Sequence, residues 1–312
     1  MPAHSTPDLY DCVIVGGGPA GISAAIYLAR FNRSVIVCDH GDGRWTTREI
    51  NENYLGFPDG IAAMQLRELG RRQAERFGAA FADLFVQDVQ RGEGAFTVRG
   101  DNGEACGRTI ILATGVQDIL PEFDNADARE YFGMSLFWCI TCDGYKTRGA
   151  RVAIVGNDDG AATTALQFLN FTDQIALITN APHGACRINV RKRAGLEAAG
   201  IPLYEGTITT IEGSGGRMSA VDLDDGRRVE LDFMFNQQGA RPNAALARQL
   251  GIVCDPQGYV RVDNEQRTNV PFVYAAGDLT KEFAHQIVTA AHEGATAGTT
   301  ANYDLYRPDQ RE

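Results

Sequence analysis

Short, nearly continuous apolar runs alternate with glycine-rich turns and helix-length amphipathic stretches along this chain. Residues 10–15 form one such run, which suits a strand buried on both faces. It leads through Gly16-Gly17-Gly18-Pro19-Ala20-Gly21 into a helix predicted over residues 22–30. Strands are predicted at 34–38, ending on Asp39, and at 109–112, just before Ala113-Thr114-Gly115. The order then repeats, with a strand at 151–155, the turn Gly156-Asn157-Asp158-Asp159-Gly160-Ala161, a helix at 162–170 and a strand at 175–178. Residues 207–229 are punctuated by Gly213-Ser214-Gly215-Gly216 and Asp224-Asp225-Gly226 and predict a β-meander, with 219–223 as one strand. Strands alternating with helices in this way predict an α/β fold containing two nucleotide-type βα units.

The first turn is a complete GxGxxG in the context that its chemistry requires. Gly16 permits the tight turn, Gly18 lets backbone N–H groups approach a pyrophosphate at the helix N-terminus, and Gly21 lets the helix pack on the strand. Asp39 ends the next strand, where a carboxylate can bind a ribose hydroxyl. Strand, loop, helix and acid together predict dinucleotide binding.

Composition narrows the function classes. A chain of 312 residues with 44% hydrophobic content can bury one large or two medium cores, and two domains are expected. The net charge of −11 argues against general nucleic-acid binding. No apolar run is long enough to span a bilayer, and residues 1–7 carry neither a basic region nor an apolar core, so a cytoplasmic, non-membrane protein is expected. In that compartment Cys139-Ile140-Thr141-Cys142 reads as a redox dithiol more readily than as a structural bridge. A zinc site would need two more close ligands, yet Cys12, Cys38, Cys106, Cys186 and Cys254 are scattered singly. No metal is expected, and Cys12 and Cys38 read as small buried hydrophobes.

Three further segments carry a family resemblance: Asn51-Glu52-Asn53-Tyr54-Leu55-Gly56-Phe57-Pro58, Ala113-Thr114-Gly115, and Val273-Tyr274-Ala275-Ala276-Gly277-Asp278. With the cysteine pair, they resemble the low-molecular-weight thioredoxin reductases over nearly the whole chain. The resemblance implies two Rossmann-like three-layer ββα nucleotide-binding domains, the second inserted in the first. The FAD domain would be formed by residues 8–118 and 242–312, and the insert by 119–241. It implies FAD held by Gly16, Gly18, Ala20, Gly21, Asp39, Asn53, Ala113, Gly115, Gly277 and Asp278, with backbone groups of Gln286 and Ile287 at the pyrimidine edge of the ring. It also implies a homodimer that serves a thioredoxin-like protein disulfide. Cys142 would be the flavin-proximal sulfur, Cys139 the interchange nucleophile and Asp143 the acid that protonates the departing thiolate; the plainer reading of Asp143-Gly144 is a turn. Departures from the family are Leu55 in place of a common proline, His285 where arginine is common, and Trp138 where a small residue is usual.

The second nucleotide fold has lost its chemistry. Asp158 stands where a phosphate loop needs its second glycine, with Asp159 beside it, and two carboxylates repel a pyrophosphate. Thr179-Asn180-Ala181 occupies the place of the family's 2′-phosphate-binding cations, and Thr163 and Thr164 replace its glutamate pair. Arg187, Arg191, Lys192 and Arg193 read either as a substitute phosphate site or as a solvated helix face. NADPH use is therefore not expected, and a one-electron protein donor such as ferredoxin is, as in the ferredoxin-dependent flavin branch of the family. An FAD-dependent dithiol oxidase acting on a small dithiol with oxygen is the alternative enzyme, and a non-catalytic flavin redox sensor the alternative from another class. The tail from residue 303 reads as a frayed end or a flap over the flavin face.

Overall fold

The computed structural model describes residues 8–44 and 50–310; residues 1–7, on which the cytoplasmic expectation partly rested, lie outside them. In chain order the helices are α1 (Pro19–Arg30), α2 (Ala63–Arg76), α3 (Ile140–Asp143), α4 (Asp159–Gln167), α5 (Val190–Ala198), α6 (Ala245–Gln249) and α7 (Ile287–Asp304). Two compact units result. One draws on residues 8–44, 63–117 and 241–310, the other on 50–62 and 118–240. Residues 50–62, with Asn53 among them, thus belong to the unit that carries the dithiol segment.

In the first unit the strand Leu9–Val15 lies between Val35–Cys38 and Gly103–Leu112, parallel to both. Val273–Ala275 runs parallel along the far end of Gly103–Leu112, and Ala80–Ala82 extends the other edge. Side chains of the central strand alternate between two cores: Cys12 and Ile14 pack with Leu28 and Ala301, whereas Val13 and Val15 pack with Val98 and Leu279. Burial on both faces is why this run is apolar throughout instead of alternating with polar residues. Helices α1 and α7 press together because Gly294 and Gly298 lack a Cβ that would strike the backbone of Ala20 and Ala24.

The second unit centres on a parallel sheet in the order Leu136–Phe137, Phe233–Asn236, Val152–Val155, Ile175–Ile178, Leu203–Tyr204. Val152 and Ile154 face Phe168 and Leu196 of the helical layer; Ala153 and Val155 face Met218 and Val221. The latter two belong to the antiparallel meander Ile208–Ser214, Arg217–Leu223, Arg228–Glu230, so the layers are helix, sheet and meander.

Element boundaries differ from expectation for local reasons. Helix α1 begins at Pro19, three residues early, because proline's fixed φ suits a first helical turn and needs no N–H there. Helix α4 also begins early, at Asp159, and its expected last turn is the 3-10 segment Phe168–Asn170. The strand expected at 109–112 is the end of the ten-residue Gly103–Leu112, whose polar first half hid it. Asp304 accepts hydrogen bonds from Tyr274 Oη at 2.7 Å and Arg267 Nε at 3.0 Å, and the Arg33 guanidinium lies over the Tyr306 ring. Residues 303–306 are thus a docked helix end and not frayed, and residues 311–312 of the tail lie outside the described residues.

Candidate functional site

The glycine loop sits where the parallel strands of the first unit end, the position at which open α/β sheets bind ligands. Gly16 has φ +106°, and a Cβ there would strike the carbonyl of Ala113 at the end of the neighbouring strand. A Cβ on Gly21 would strike the carbonyl of Gly16, so both glycines are demanded by the chain's own packing. Gly18 differs: a Cβ there would meet nothing within 4 Å. Gly18 is also the N-cap of α1 and offers no side chain to the first-turn amides. Those amides are left for a ligand, and the room at Gly18 is what a pyrophosphate needs.

Asp39 and Gly277 border this loop: a Cβ on Gly17 would strike the Asp39 carboxylate. Gly277, at φ +79°, would place a Cβ 3.0 Å from that of Ala20, so the Gly277–Thr280 turn borders the start of α1. Gly115 is also left-handed, at φ +63°. Asp39 is ion-paired with Arg67 of α2, and Asp278 with Arg44 at 2.9 Å. Gln286 is the N-cap of α7 in a capping box with Thr289, and Ile287 is the first helical residue. His285 is half-buried, with Nε2 2.8 Å from the Lys281 carbonyl.

Sequence reading missed Glu293. It is 2% exposed, accepts from the Gly277 amide at 2.8 Å and Thr280 Oγ1 at 3.0 Å, and pairs with Lys281. The carboxylate thereby fixes the turn that carries Asp278. Its signal was a lone acid on a helix face otherwise made of small residues.

In the second unit the matching helix start is closed by its own residues. Asp158 is the N-cap of α4, and its Oδ1 accepts from the Ala161 amide at 3.1 Å. Asp159 accepts from the Asn189 amide at 2.8 Å and from the Asn189 side chain. Asn157 donates to the Ala185 carbonyl and accepts from the Arg187 amide. Thr179 is buried and bonded to Gly206, and the Asn180 side chain accepts from the Ile208 amide. Arg193 pairs with Glu205 at 2.7 Å.

Cys139 and Cys142 form a disulfide with Cα atoms 5.2 Å apart, the reach expected of that spacing. Cys139 is the N-cap of the one-turn helix α3, and its Sγ accepts from the Cys142 amide at 3.1 Å. The carbonyl of neighbouring Trp138 accepts from Gln237 Nε2 at 2.7 Å, while the indole packs edge-on against Phe132. Asp143, 7% exposed, has its carboxyl pushed up by burial, a rise partly opposed by Lys146 Nζ at 2.7 Å. Lys146 also meets Glu52 at 3.1 Å, and Tyr145 Oη donates to the same carboxylate at 2.8 Å. A closed disulfide beside a buried acid is suited to thiol–disulfide interchange. Asn53 is exposed in the same unit.

Among known proteins, the sequence profile of the pyridine nucleotide-disulphide oxidoreductases matches residues 10–294. The thioredoxin reductase of Listeria innocua is 29% identical over 304 residues, covering 95% of this chain and 94% of that protein. The thioredoxin reductase structure from Streptococcus pyogenes superposes with a TM-score of 0.86 at 25% identity, covering 96% of this chain and 99% of the other. The atypical thioredoxin reductase of Desulfovibrio vulgaris Hildenborough is 35% identical, with a TM-score of 0.51 and coverage of 95% and 97%.

Proposed function

The chain belongs to the pyridine nucleotide-disulphide oxidoreductase family, and from that premise we propose a thioredoxin-reductase-like enzyme that receives electrons from a donor other than NADPH, such as ferredoxin. The observation that carries this reading is the opposite state of two equivalent helix starts. Helix α1 begins at a glycine with no side-chain cap, whereas α4 begins at Asp158, whose carboxylate already bonds the Ala161 amide. A pyrophosphate arriving at α4 would have to displace one carboxylate and approach another, and Thr179, Asn180 and Ala181 offer no cation for a 2′-phosphate. Arg193 is engaged by Glu205 and so is a poor substitute.

In this reading FAD is held by Gly16, Gly18, Ala20, Gly21, Asp39, Asn53, Ala113, Gly115, Gly277, Asp278, Gln286 and Ile287. Bound FAD would supply a carrier able to take electrons singly and release them as a pair. The chain's residues then account for the disulfide chemistry. In the reduced dithiol the Cys142 amide stabilises a thiolate on Cys139, which attacks one sulfur of a thioredoxin-like protein's disulfide. A mixed disulfide forms, and Asp143 delivers its proton to the partner sulfur that departs. Cys142 passes its proton to the Asp143 carboxylate and attacks Cys139 Sγ, the Cys139–Cys142 disulfide closes, and the second partner sulfur takes that proton and leaves as a thiol. Two electrons and two protons have moved to the partner. Burial of Asp143 favours the protonated carboxyl that this step consumes.

The test is anaerobic reduction of the purified flavoprotein by candidate donors, followed in the flavin absorbance. Excess NADPH should leave it oxidised over minutes, and photochemically reduced ferredoxin should bleach it. Rapid bleaching by micromolar NADPH would overturn the donor assignment. Bleaching by a small dithiol with reoxidation by air, and by neither of the other donors, would make the protein a dithiol oxidase.

A further inference from the structure

We propose that Lys146 is a positioning residue for the dithiol chemistry, its single ammonium shared between Asp143 and Glu52 so that Glu52 governs how strongly Asp143 is held as a carboxylate. The inference rests on the reading of Asp143 as the acid of the interchange. Lys146 Nζ lies 2.7 Å from Asp143 Oδ1 and 3.1 Å from Glu52 Oε2, and 5.5 Å from the centre of the Phe137 ring. Its side chain is one-quarter exposed and that of Asp143 is 11% exposed, so solvent screens this pair less than it would a surface pair. Glu52 is kept in place by Tyr145 Oη, which donates to Oε1 at 2.8 Å and leaves Oε2 for the lysine. One cation therefore answers two anions that come from distant parts of the chain.

The consequences have opposite signs. The groups that act on Asp143 are Lys146 from its own turn and Glu52 from the 50–62 segment; Tyr145 acts on Glu52. Burial pushes Asp143 up, Lys146 pulls it down, and Glu52 raises it again. Lys146 loses some of its charge preference to burial, but its two carboxylate partners outweigh this and hold it above the usual lysine range. Removing the ammonium should let Asp143 keep its proton to higher pH. Removing the Glu52 charge should release the ammonium wholly to Asp143 and strip the proton at lower pH. A group with only a packing role would not move the acid both ways.

The experiment follows reoxidation of the reduced holoenzyme dithiol by bis(2-hydroxyethyl) disulfide between about pH 5 and 10, with acid quench and mass analysis of the 139–142 peptide. The leaving alkyl thiolate is strongly basic, so the rate depends on a proton donor and should fall as Asp143 ionises. In Lys146→Met this alkaline limb should move up by about one pH unit, the lower end of what an adjacent opposite charge does to a carboxylate. In Glu52→Gln, which still accepts from Tyr145, it should move down by a smaller amount. Lys146→Arg keeps the charge and should retain the wild-type limb, which separates charge from fold. Asp143→Asn should abolish the limb. Shifts of equal sign in Lys146→Met and Glu52→Gln, or none, with the limb still abolished in Asp143→Asn, would overturn the role of Lys146 and leave the acid in place. An unchanged profile in Asp143→Asn would overturn the acid itself, and the proposal with it.

Discussion

Helices α1 and α4 follow equivalent strands in equivalent folds, yet one has no side-chain cap on its first turn and the other has a carboxylate on it. At α1 the N-cap is Gly18, whose missing Cβ faces empty space; at α4 it is Asp158, bonded to Ala161. The surrounding residues agree with each state. Gly16 and Gly21 let strand, loop and helix approach closely around an open cradle, whereas Asn157 and Asp159 join their loop to residues 185–189. Two kinds of contact close the second loop: the Asp158 carboxylate bonds the Ala161 amide, and residues 185–189 bond Asn157 and Asp159. The βα skeleton stands without a ligand, because the strand Val152–Val155 is held by two buried faces.

The strongest way to break the contrast is to impose the second state on the first loop. Gly18→Asp should weaken FAD retention more than about 100-fold, since charge-assisted hydrogen bonds worth about 1.5–3 kcal/mol each would be lost to an internal carboxylate. Flavin-to-protein absorbance ratios after gel filtration and titration of the apoprotein check it; full retention of flavin would refute the assignment of this cradle.

The converse change tests the other side. Asp158→Ala removes the α4 cap and should lower stability by about 1 kcal/mol in urea unfolding. It should not create a response to NADPH, because Asp159 remains and the cation site is still missing. Gain of NADPH reduction in this variant would mean that the cap alone closes the site.

The smallest effect concerns the lone cysteines. Burial pushes the thiols of Cys12 and Cys38 up to about 12, so both should resist iodoacetamide at pH 8 in the native protein. Half-buried Cys106, Cys186 and Cys254 should carry the label instead, as read by peptide mapping. Early labelling of Cys12 would show that the sheet of the first unit opens locally.

Much of this was legible in order along the chain. Apolar runs at 10–15 and 151–155 announced strands buried on two faces, and the cysteine spacing announced a dithiol. Asp158 was legible as a charge hostile to phosphate, although not as the cap that it also is. Lys146 stands three residues after Asp143, a spacing that brings side chains together on one turn, so that pair carried a local signal.

The sequence by itself determined the βα units, the glycines that its own packing demands, the dithiol and the acid beside it, because each depends on residues within a few positions of one another. Only the tertiary structure decided that Arg67 pairs with Asp39, Arg44 with Asp278, Glu293 with the Gly277 amide, and Glu52 with Lys146. Arg44 and Asp278 are 234 positions apart, and Glu52 lies 93 before Tyr145. Such contacts exist because the hydrophobic cores close long loops at little additional entropic cost per residue, and no local pattern records which charges that closure brings together.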